Sequence, residues 1–565
     1  MDEHFDAVVI GSGFGGSVLT YRLAQAGKRV CLLERGKAYR PGDYPRAPHE
    51  LRKNFWDPSE GLHGMFDIWS FRGIESVVTS GLGGGSLTYA NVLIRKPERW
   101  FLTPLASGGY QPWPITRADL DPHYDAVEKM MAVQTYPVQH APYSTTPKTV
   151  AFQTAARKLG LNVINPPLAV TFQAPGSARP MPGEAFDTGS GNLHKSARLT
   201  CRLCGECDVG CNDGSKNSLD FTYLSAADTR FAEIRTRSEV RTIEPRGDGN
   251  NPRGYRIGYV VHEEQAEGKP TKTSKLPLRY VTADRLVLAA GTLGSNYLLL
   301  SNRKSLPGLS KRLGQRFSGN GDVLGFAYKA KQRGGLPHEL SPSHGPVITS
   351  TIHSDTEDPR NAFYLQDAGF PQFASWLADS VDAPSAATRA LRFVKARALA
   401  ALSGSRSGSH KSNIGAQVSG LLPDESGSGS MMPLLGMGMD VPEGKIDVKY
   451  VRGKARLTLD WPNRASRSYF NHVGKTAERV AHAMGADFQA NPLQRVLGQL
   501  VTVHPLGGCA MGTSADDGVV DTRCEAFGHP GLYIVDGSVM PGPVGPNPSL
   551  TIAAIADRAA TQMLS

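Results

Sequence analysis

Long apolar stretches are missing from this chain of 565 residues. No run reaches the roughly 18 consecutive apolar residues that a transmembrane helix needs, so the sequence predicts no membrane span. The acidic start Met1-Asp2-Glu3-His4 leads directly into an apolar run, which is not the pattern of a signal peptide or a twin-arginine leader. We therefore expect a cytoplasmic protein, with peripheral membrane contact as the alternative.

Blocks of a single charge are also absent. The 62 Lys and Arg residues exceed the 52 Asp and Glu residues by a net charge of +10, but they are spread along the chain. Without a basic cluster there is no reason to expect nucleic-acid binding. The hydrophobic share of 40% and charged share of 20% are ordinary for a globular protein, and the length predicts two or more domains.

Cysteine is scarce, with seven residues, yet four of them fall within eleven positions. Cys201, Cys204, Cys207 and Cys211 have the spacing C-x2-C-x2-C-x3-C, which matches an iron–sulfur ligand run. Asn212 follows where such runs often have proline, and the chain has no second run. An iron–sulfur cluster, another metal such as zinc, and reduced or disulfide-bonded cysteines all remain open. A cluster would give electrons an exit and would favour a dehydrogenase over an oxidase.

Glycine, in contrast, is abundant, and it marks a nucleotide-binding unit at the N-terminus. The buried strand pattern Ala7-Val8-Val9-Ile10 is followed by G-x-G-x-x-G at Gly11, Gly13 and Gly16, then by a helix and a second strand ending in Glu34. The glycines permit a tight turn, close approach of a diphosphate and close helix packing, and the acid can accept hydrogen bonds from a ribose. This βαβ pattern predicts dinucleotide binding, without distinguishing NAD from FAD.

Further glycine motifs follow. Residues 79–91 contain four glycines and include Gly84, Gly85, Ser86 and Asn91, as expected of a loop that approaches an anion or a flat ring. The run 285–295 again predicts strand, glycine turn and helix, and 533–538 predicts a strand before Asp536 and Gly537. Helices are predicted over 115–135, 148–160 and 466–485, and antiparallel strands over 320–375.

The α/β motifs therefore lie at both ends of the chain and the middle is rich in β-structure. We predict an FAD- or NAD-binding domain built from residues 1-100, 196-320 and 495-565. A substrate-binding domain would comprise 101-195 and 321-494, with a basic helix at 384–402 and a mobile Ser/Gly-rich loop near 403-430. We expect this basic helix to be exposed to solvent rather than bound to an anionic membrane.

Two polar residues near the C-terminus have the chemistry of an active site. His504 precedes Pro505-Leu506-Gly507-Gly508-Cys509, and an imidazole suits proton transfer near neutral pH. Asn547 opens the last predicted helix and can both donate and accept hydrogen bonds. If the two converge, they can hold one hydroxyl group between them. The alternatives are a structural histidine and a helix N-cap.

Taken in order, these motifs resemble the glucose–methanol–choline (GMC) oxidoreductase family, and most closely its bacterial cholesterol-oxidase-like branch. The resemblance implies an α/β fold, α+β overall, in which a Rossmann-like FAD-binding domain made of discontinuous segments joins a β-rich substrate-binding domain with an antiparallel sheet. It implies FAD rather than NAD. Gly11, Gly13, Gly16 and Glu34 would bind its ADP part, and Val240 would contact adenine. Further cofactor contacts would come from Gly84, Gly85, Ser86, Asn91, Asp536 and Gly537.

The resemblance also implies a reaction. His504 would accept or orient the hydroxyl proton of an alcohol, Asn547 would hold its oxygen, and flavin N5 would take the hydride to leave a ketone or aldehyde, with O2 or another electron acceptor reoxidising the flavin. The substrate would be a bulky, apolar, sterol-like alcohol. Cholesterol oxidases carry a Glu base in the substrate domain, but the stretch 364–370 offers Gln366 and Asp367, which argues against steroid isomerisation. The alternatives are a long-chain or aromatic alcohol dehydrogenase that passes electrons to a quinone or protein, an FAD-containing lyase without net redox, and a non-catalytic flavoprotein.

Overall fold

The structure is a computed structural model that describes residues 2–187, 191–248, 251–332, 336, 338–370, 431–490 and 500–565. The predicted basic helix at 384–402 and the Ser/Gly-rich loop near 403–430 lie outside these residues. The helices are α1 Phe14–Gln25, α2 Arg117–Met130, α3 Pro147–Lys158, α4 Tyr223–Ala226, α5 Gly291–Ser301, α6 Arg467–Ala483 and α7 Ser549–Leu564. No helix among the described residues is both long and apolar enough to cross a membrane.

The largest sheet has seven strands drawn from distant parts of the chain. In spatial order these are β14 Ala232–Arg235, β2 Val30–Leu33, β1 Glu3–Ile10, β17 Arg279–Leu288, β16 Asn251–Val261 and β15 Ser238–Asp248, with β28 Leu532–Ile534 also paired to β17. Strands β14, β2, β1, β17 and β28 are parallel, whereas β15 and β16 form an antiparallel hairpin. This confirms a Rossmann-like domain assembled from discontinuous segments.

The parallel strands are buried because helices cover the sheet. Val8, Val9, Leu32 and Val287 are fully buried in one hydrophobic core with residues of α1 and α7. Each such side chain contributes about 1.5–3 kcal/mol when it is removed from water. The carboxyl ends of three strands meet at one edge, since Ile10 pairs with Leu288 and Leu288 pairs with Ile534. The segments that follow these strands are therefore brought together by the sheet.

The second large sheet is antiparallel and has six strands. Their order is β10 Val163–Ile164, β20 Thr351–Ser354, β21 Phe363–Asp367, β22 Met432–Gly438, β19 Val323–Tyr328 and β25 Asp487–Ala490. Helix α6 packs against it through Val473 and Val480, in a separate core that also includes Phe152 of α3. The expected antiparallel sheet is thus confirmed.

The remaining strands form smaller sheets. A four-stranded sheet has the order β24 Lys454–Asp460, β23 Gly444–Val451, β18 Gln315–Ser318 and β27 Leu506–Gly508, and a three-stranded sheet the order β26 Leu500–Thr502, β6 Ile74–Thr79 and β5 Phe66–Phe71. The remaining pairs are β3 Trp56–Asp57 with β4 Leu62–His63, β7 Leu102–Pro104 with β8 Tyr110–Pro112, β9 Gln134–Thr135 with β11 Pro167–Leu168, and β12 Ala185–Phe186 with β13 Arg198–Leu199.

Helix α2 shows why chain segments do not divide neatly between the layers. Thr116 and Asp119 form a capping box at its start, and its buried side chains Leu120, Tyr124 and Val127 pack in the same core as the seven-stranded sheet. The segment 101–195, which the sequence places in the substrate-binding domain, therefore also contributes to the core of the nucleotide-binding sheet. The domain boundaries stay a prediction.

Candidate active site

The first glycine turn lies at the carboxyl edge of the seven-stranded sheet, between β1 and α1. Gly11 has a φ of +95°, and a Cβ on Gly16 would lie 1.9 Å from the carbonyl oxygen of Gly11. Gly16 therefore permits the close packing of helix on turn that the motif predicts. A Cβ on Gly13, in contrast, would meet no atom within 4 Å. The fold itself does not require glycine there, so the open space in front of Gly13 is available to a ligand.

Of the glycines in this turn, Gly15 has the least room for a side chain, although the sequence pattern did not identify it. A Cβ at this position would lie 1.7 Å from the carbonyl oxygen of Val535, the residue after β28. The N-terminal turn thus packs directly on the C-terminal segment. The signal in the sequence is the doublet Gly15-Gly16, whose first glycine the dinucleotide pattern leaves unexplained.

Glu34 lies at the end of β2, where the sequence predicts the ribose-binding acid. Its side chain is buried and accepts hydrogen bonds from the backbone N–H and the hydroxyl of Ser12, at 3.0 and 2.6 Å, and from the N–H of Gly36 at 2.8 Å. The carboxylate thereby holds the first glycine turn against the end of β2. Ser12, the middle residue of the first G-x-G, is a contributor that the pattern did not identify.

The second glycine loop lies against the first. A Cβ on Gly84 would be 2.6 Å from the Cα of Gly13, and Gly84 has a φ of +52°. The hydroxyl of Ser86 donates to the carbonyl of Gly83 at 2.7 Å and accepts from the N–H of Leu219 at 3.0 Å, which fixes the short 3-10 turn Gly84–Leu87. Gly85 is exposed and has open space in front of it. The two loops therefore form one cradle with Gly13 and Gly85 facing free space.

Asn91, the last residue of this loop, combines a positive φ with a buried side chain that has no hydrogen-bond partner among the described residues. Its φ is +67°, its side chain is fully buried, and neither its amide nitrogen nor its amide oxygen has a hydrogen-bond partner among the described residues. Leaving a buried polar group unpaired costs about 1–3 kcal/mol, so such a group normally has a partner. A polar cofactor in the cradle would supply one, and Asn91 thus fits the FAD that the sequence implies.

The C-terminal segment completes the edge of the sheet. The buried carboxyl group of Asp536 accepts from the hydroxyl of Ser295 at 2.5 Å and from the N–H of Ser538 at 2.9 Å, and burial raises its pKa. A Cβ on Gly537 would lie 2.8 Å from Thr292, a residue of α5. Asp536 and Gly537 therefore tie the start of α5 to the turn after β28. Val240 is buried on β15, where it pairs with Tyr259 in the core.

His504 follows β26 on a loop that is attached to this edge. The hydroxyl of Thr292 donates to the carbonyl of Pro505 at 2.6 Å. The imidazole Nδ1 of His504 lies 2.7 Å from Oδ1 of Asp322, and the side chain is 17% exposed. An ionised carboxylate only accepts hydrogen bonds, so in a neutral imidazole this contact assigns the proton to Nδ1 and leaves Nε2 as the ring acceptor. Asp322 was not identified from the sequence.

Asn547 lies just before α7, as the sequence predicts, but its side chain does not cap that helix. Its carbonyl oxygen Oδ1 accepts from Nε2 of Gln366 at 2.9 Å, and both side chains are buried. The Oε1 atom of Gln366 has no partner among the described residues. The amide group of Gln366 thus orients Asn547 and leaves the donor Nδ2 of Asn547 to face another group.

Asp367, the neighbour of Gln366 on β21, is occupied elsewhere because successive strand residues point to opposite faces. It forms a fully buried ion pair with Lys148 at 2.9 Å and accepts from the N–H groups of Thr349 and Ser350. These bonds saturate the carboxylate. Gln366, rather than an acid, is therefore the residue of β21 that meets Asn547.

The four-cysteine run does not form a metal site. Among the described residues, no group of three or more His, Cys, Asp or Glu side chains is arranged to hold a metal ion. Cys201 is buried in a hydrophobic core with Leu203, Cys204 is exposed, and Sγ of Cys211 lies 3.2 Å from the hydroxyl of Ser215. All four are free thiols, and burial raises the pKa of Cys201 and of Cys207. This donor set does not fit an iron–sulfur cluster, so we derive no electron transfer through one.

Comparisons with known proteins agree with these features. The pattern of the family described as GMC oxidoreductase matches residues 445–556, and that of an NAD(P)-binding Rossmann-like domain matches residues 9–42. The chain is 30% identical to a cholesterol oxidase of Mycobacterium tuberculosis, over 99% of this chain and 91% of the relative. It is 26% identical to a cholesterol oxidase of Acinetobacter baumannii, over 98% and 93% of the two chains.

Two further similarities are more distant. A long-chain-alcohol oxidase of Arabidopsis thaliana is 24% identical over 98% of this chain and 66% of the relative. The crystal structure of pyridoxine 4-oxidase from Mesorbium loti superimposes with a TM-score of 0.58 and covers 99% of this chain and 98% of its own, at 16% identity. The latter shows that the fold is shared over the whole chain.

Proposed function

Because the chain belongs to the GMC oxidoreductase family, of FAD-dependent alcohol oxidases and dehydrogenases, we propose that it oxidises the hydroxyl group of a bulky, apolar, sterol-like alcohol to a ketone or aldehyde. The observation that carries this proposal is the pair of oriented side chains His504 and Asn547. Each is fixed by one partner side chain, Asp322 or Gln366, so that Nε2 of His504 and Nδ2 of Asn547 remain to meet a substrate.

The cofactor site is the cradle described above. Gly11, Gly13, Gly16, Gly84 and Gly85 would let the backbone approach the diphosphate, and the N-terminus of α1 would add a favourable dipole of about 0.3–1 kcal/mol. Around them, the unpaired amide of Asn91 would gain its missing partners. Further contacts are proposed for Glu34, Ser86, Val240, Asp536 and Gly537. Bound FAD supplies the hydride acceptor that no side chain can provide.

The side chains supply proton transfer and alignment. Nε2 of His504 accepts the hydroxyl proton, which makes the C–H bond of the alcohol a better hydride donor. Nδ2 of Asn547 donates a hydrogen bond to the same oxygen and limits its motion. A positioned base contributes about 10²–10⁴-fold to a rate, so the loss of His504 should be felt mainly in the chemical step.

Gln366 limits the chemistry that is open to the oxidised product. A neutral carboxamide has no basic group that could remove a proton from carbon, and the nearest carboxylate on β21, Asp367, is saturated by Lys148 and backbone N–H groups. We therefore propose that a sterol is oxidised without migration of its double bond. The similarity to the long-chain-alcohol oxidase supports a second substrate class, a long-chain primary alcohol, with electrons passed to O2 or to a quinone or protein.

Anaerobic mixing of the FAD-loaded protein with a panel of alcohols tests the proposal. The panel should hold cholesterol, a saturated 3-hydroxysteroid, a long-chain primary alcohol and an aromatic alcohol, and the readout is bleaching of the flavin absorption band. We expect bleaching by a sterol, and reduction slowed roughly 100-fold or more in H504A. An exposed histidine of α6, His482, provides the matched control H482A, which should behave as wild type.

Each other outcome has a distinct meaning. Bleaching only by the long-chain alcohol would transfer the assignment to the second substrate class. If no alcohol reduces the flavin, the oxidation is refuted and a lyase or non-catalytic role takes its place. If H504A reduces as fast as wild type, His504 has no part in proton transfer.

A further inference from the structure

The turn between β18 and β19 contacts both proposed active-site loops. It consists of Ser318-Gly319-Asn320-Gly321-Asp322 and joins the four-stranded sheet to the six-stranded sheet. Asn320 and Gly321 have φ values of +55° and +66°, so the turn adopts a conformation that few residues tolerate. Two of its polar side chains, Asn320 and Asp322, contact different loops, those of Asn547 and His504 respectively.

Asp322 holds the loop of His504 through both carboxylate oxygens. Oδ1 lies 2.7 Å from Nδ1 of His504, and Oδ2 accepts from the hydroxyl of Thr502 at 2.9 Å. Oδ2 also accepts from the N–H groups of Val503 and His504, at 3.0 and 3.2 Å. The carboxylate therefore fixes the backbone on which His504 stands as well as the tautomer and direction of its ring.

Asn320 holds the loop that leads to Asn547. Its amide nitrogen Nδ2 donates to the carbonyls of Gly545 and Pro546, at 3.3 and 3.1 Å, and its Oδ1 accepts from the N–H of Gly545 at 2.8 Å. Asn320 is fully buried, so these bonds are shielded from competition with water. Two residues apart in the turn, Asn320 and Asp322 thus reach the loops of Asn547 and His504.

The turn is itself anchored by two side chains on the side of the six-stranded sheet and α6. Asp440 accepts from the hydroxyl of Ser318 at 2.5 Å and from the N–H of Gly319 at 3.0 Å. The hydroxyl of Tyr469, on α6, donates to the carbonyl of Gly321 at 2.9 Å. Both anchors are buried, so the turn cannot shift without disturbing the core beneath α6.

We propose that this turn is the positioning element of the active site, and that Asp322 is the positioning residue that holds Nδ1 of His504 protonated and leaves Nε2 free to take the substrate proton. Asp322 acts only through His504. Asn320 sets the place of Asn547 relative to it. The inference rests on the proposed alcohol oxidation for its kinetic consequence, but the tautomer of His504 is a property of the protein and can be measured separately.

The first test needs no variant. Histidines labelled with ¹⁵N in the FAD-loaded protein are observed by NMR, and H504N identifies the signals of His504. We expect a protonated Nδ1 and an unprotonated Nε2 at neutral pH in the wild type. The opposite tautomer in the wild type would overturn the proposal, whether or not an alcohol substrate has been found.

The second test compares D322N with D322E, and with D517N as a matched control. Asp517 likewise accepts several backbone N–H groups in a surface turn, but these belong to Thr513 and Ser514 and not to the loop of His504. Because an amide can present its NH₂ group to the imidazole and favour the wrong tautomer, D322N should bind FAD and alcohol within about threefold of wild type yet reduce flavin roughly 100-fold more slowly. D322E should recover much of the rate, and D517N should keep all of it.

The outcomes separate the two hypotheses. If the wild type never reduces its flavin, the proposed oxidation fails and the NMR result alone decides the role of Asp322. If the wild type reduces flavin and D322N does so equally fast, the positioning role fails. A D322N protein that loses rate but keeps the wild-type tautomer also contradicts it, because Asp322 would then act in some way other than by setting the ring.

Discussion

The substitutions G13A and G16A should impair different properties of the protein, although both glycines belong to one motif. We expect G13A to weaken FAD binding and G16A to lower the stability of the fold. Gly13 has φ −70° and ψ −167°, which alanine adopts readily, and its Cβ would meet nothing within 4 Å. As an N-cap, glycine is better than alanine by about 1 kcal/mol or less, so G13A should fold with nearly wild-type stability.

G13A should instead weaken the binding of FAD. A methyl group placed where the backbone must approach a diphosphate is a case of overpacking, which costs about 1–3 kcal/mol, or about 5- to 150-fold in FAD affinity. In G16A, by contrast, the Cβ would lie 1.9 Å from the carbonyl oxygen of Gly11 and 3.2 Å from Cβ of Ala289. The turn or α1 must move, and we expect a loss of about 3 kcal/mol in the free energy of unfolding.

Two measurements distinguish these effects. Urea denaturation of the cofactor-free proteins gives the free energy of unfolding, and titration with FAD, followed by quenching of its fluorescence, gives the affinity. Wild-type FAD affinity in G13A would refute the assignment of Gly13 to the diphosphate. Wild-type stability in G16A would refute the packing argument.

Three further predictions concern the surroundings of the site. K148M leaves the buried carboxylate of Asp367 without its cation, so urea denaturation should show a loss of about 3–5 kcal/mol; a loss below about 1 kcal/mol would contradict the buried ion pair. N91G keeps the positive φ but removes the unpaired amide. The cofactor-free protein should therefore keep its stability, whereas FAD should bind about tenfold more weakly. An FAD affinity equal to that of the wild type would show that Asn91 is not part of the cofactor site. Burial raises the pKa of Asp440 from 3.8 to about 7, so the folded state binds the carboxyl proton more tightly than the unfolded state does. The stability that protonated Asp440 contributes is therefore lost as the pH rises through about 7. The unfolding free energy of the wild type should therefore fall more between about pH 5 and pH 8 than that of D440N, and an equal fall in both would show that Asp440 is not responsible.

The glycine turn and the core of the first sheet could be predicted from the sequence because their determinants are local. A buried strand, a turn that needs Gly11 and Gly16, a helix and a second strand ending in Glu34 all lie within a short stretch, and each residue type has a steric or polar reason. His504 and Asn547 were predicted as candidates on the same local grounds, strengthened by family resemblance. The structure adds what surrounds them.

The cysteine run shows the limit of such reasoning. Spacing fixes how far apart the cysteines are along the chain but not the direction of each side chain. Here Cys201 points into a hydrophobic core while Cys204 is exposed, so the spacing of a ligand run does not produce a ligand set. On β21, the alternation of side chains between the two faces of the strand likewise decides which residue reaches the site. Gln366 meets Asn547, whereas Asp367 faces Lys148.

By itself, the sequence determined that this protein has a nucleotide-binding βαβ unit at its start, and it identified a histidine and an asparagine near its end as candidates for an active site. Only the tertiary structure paired His504 with Asp322 and Asn547 with Gln366, residues separated by 182 and 181 positions. Local patterns depend on interactions within a few residues, which the sequence displays directly. Contacts across nearly two hundred residues depend on how β18, β19 and β21 are ordered between the sheets, and that order is set by the packing of the whole chain.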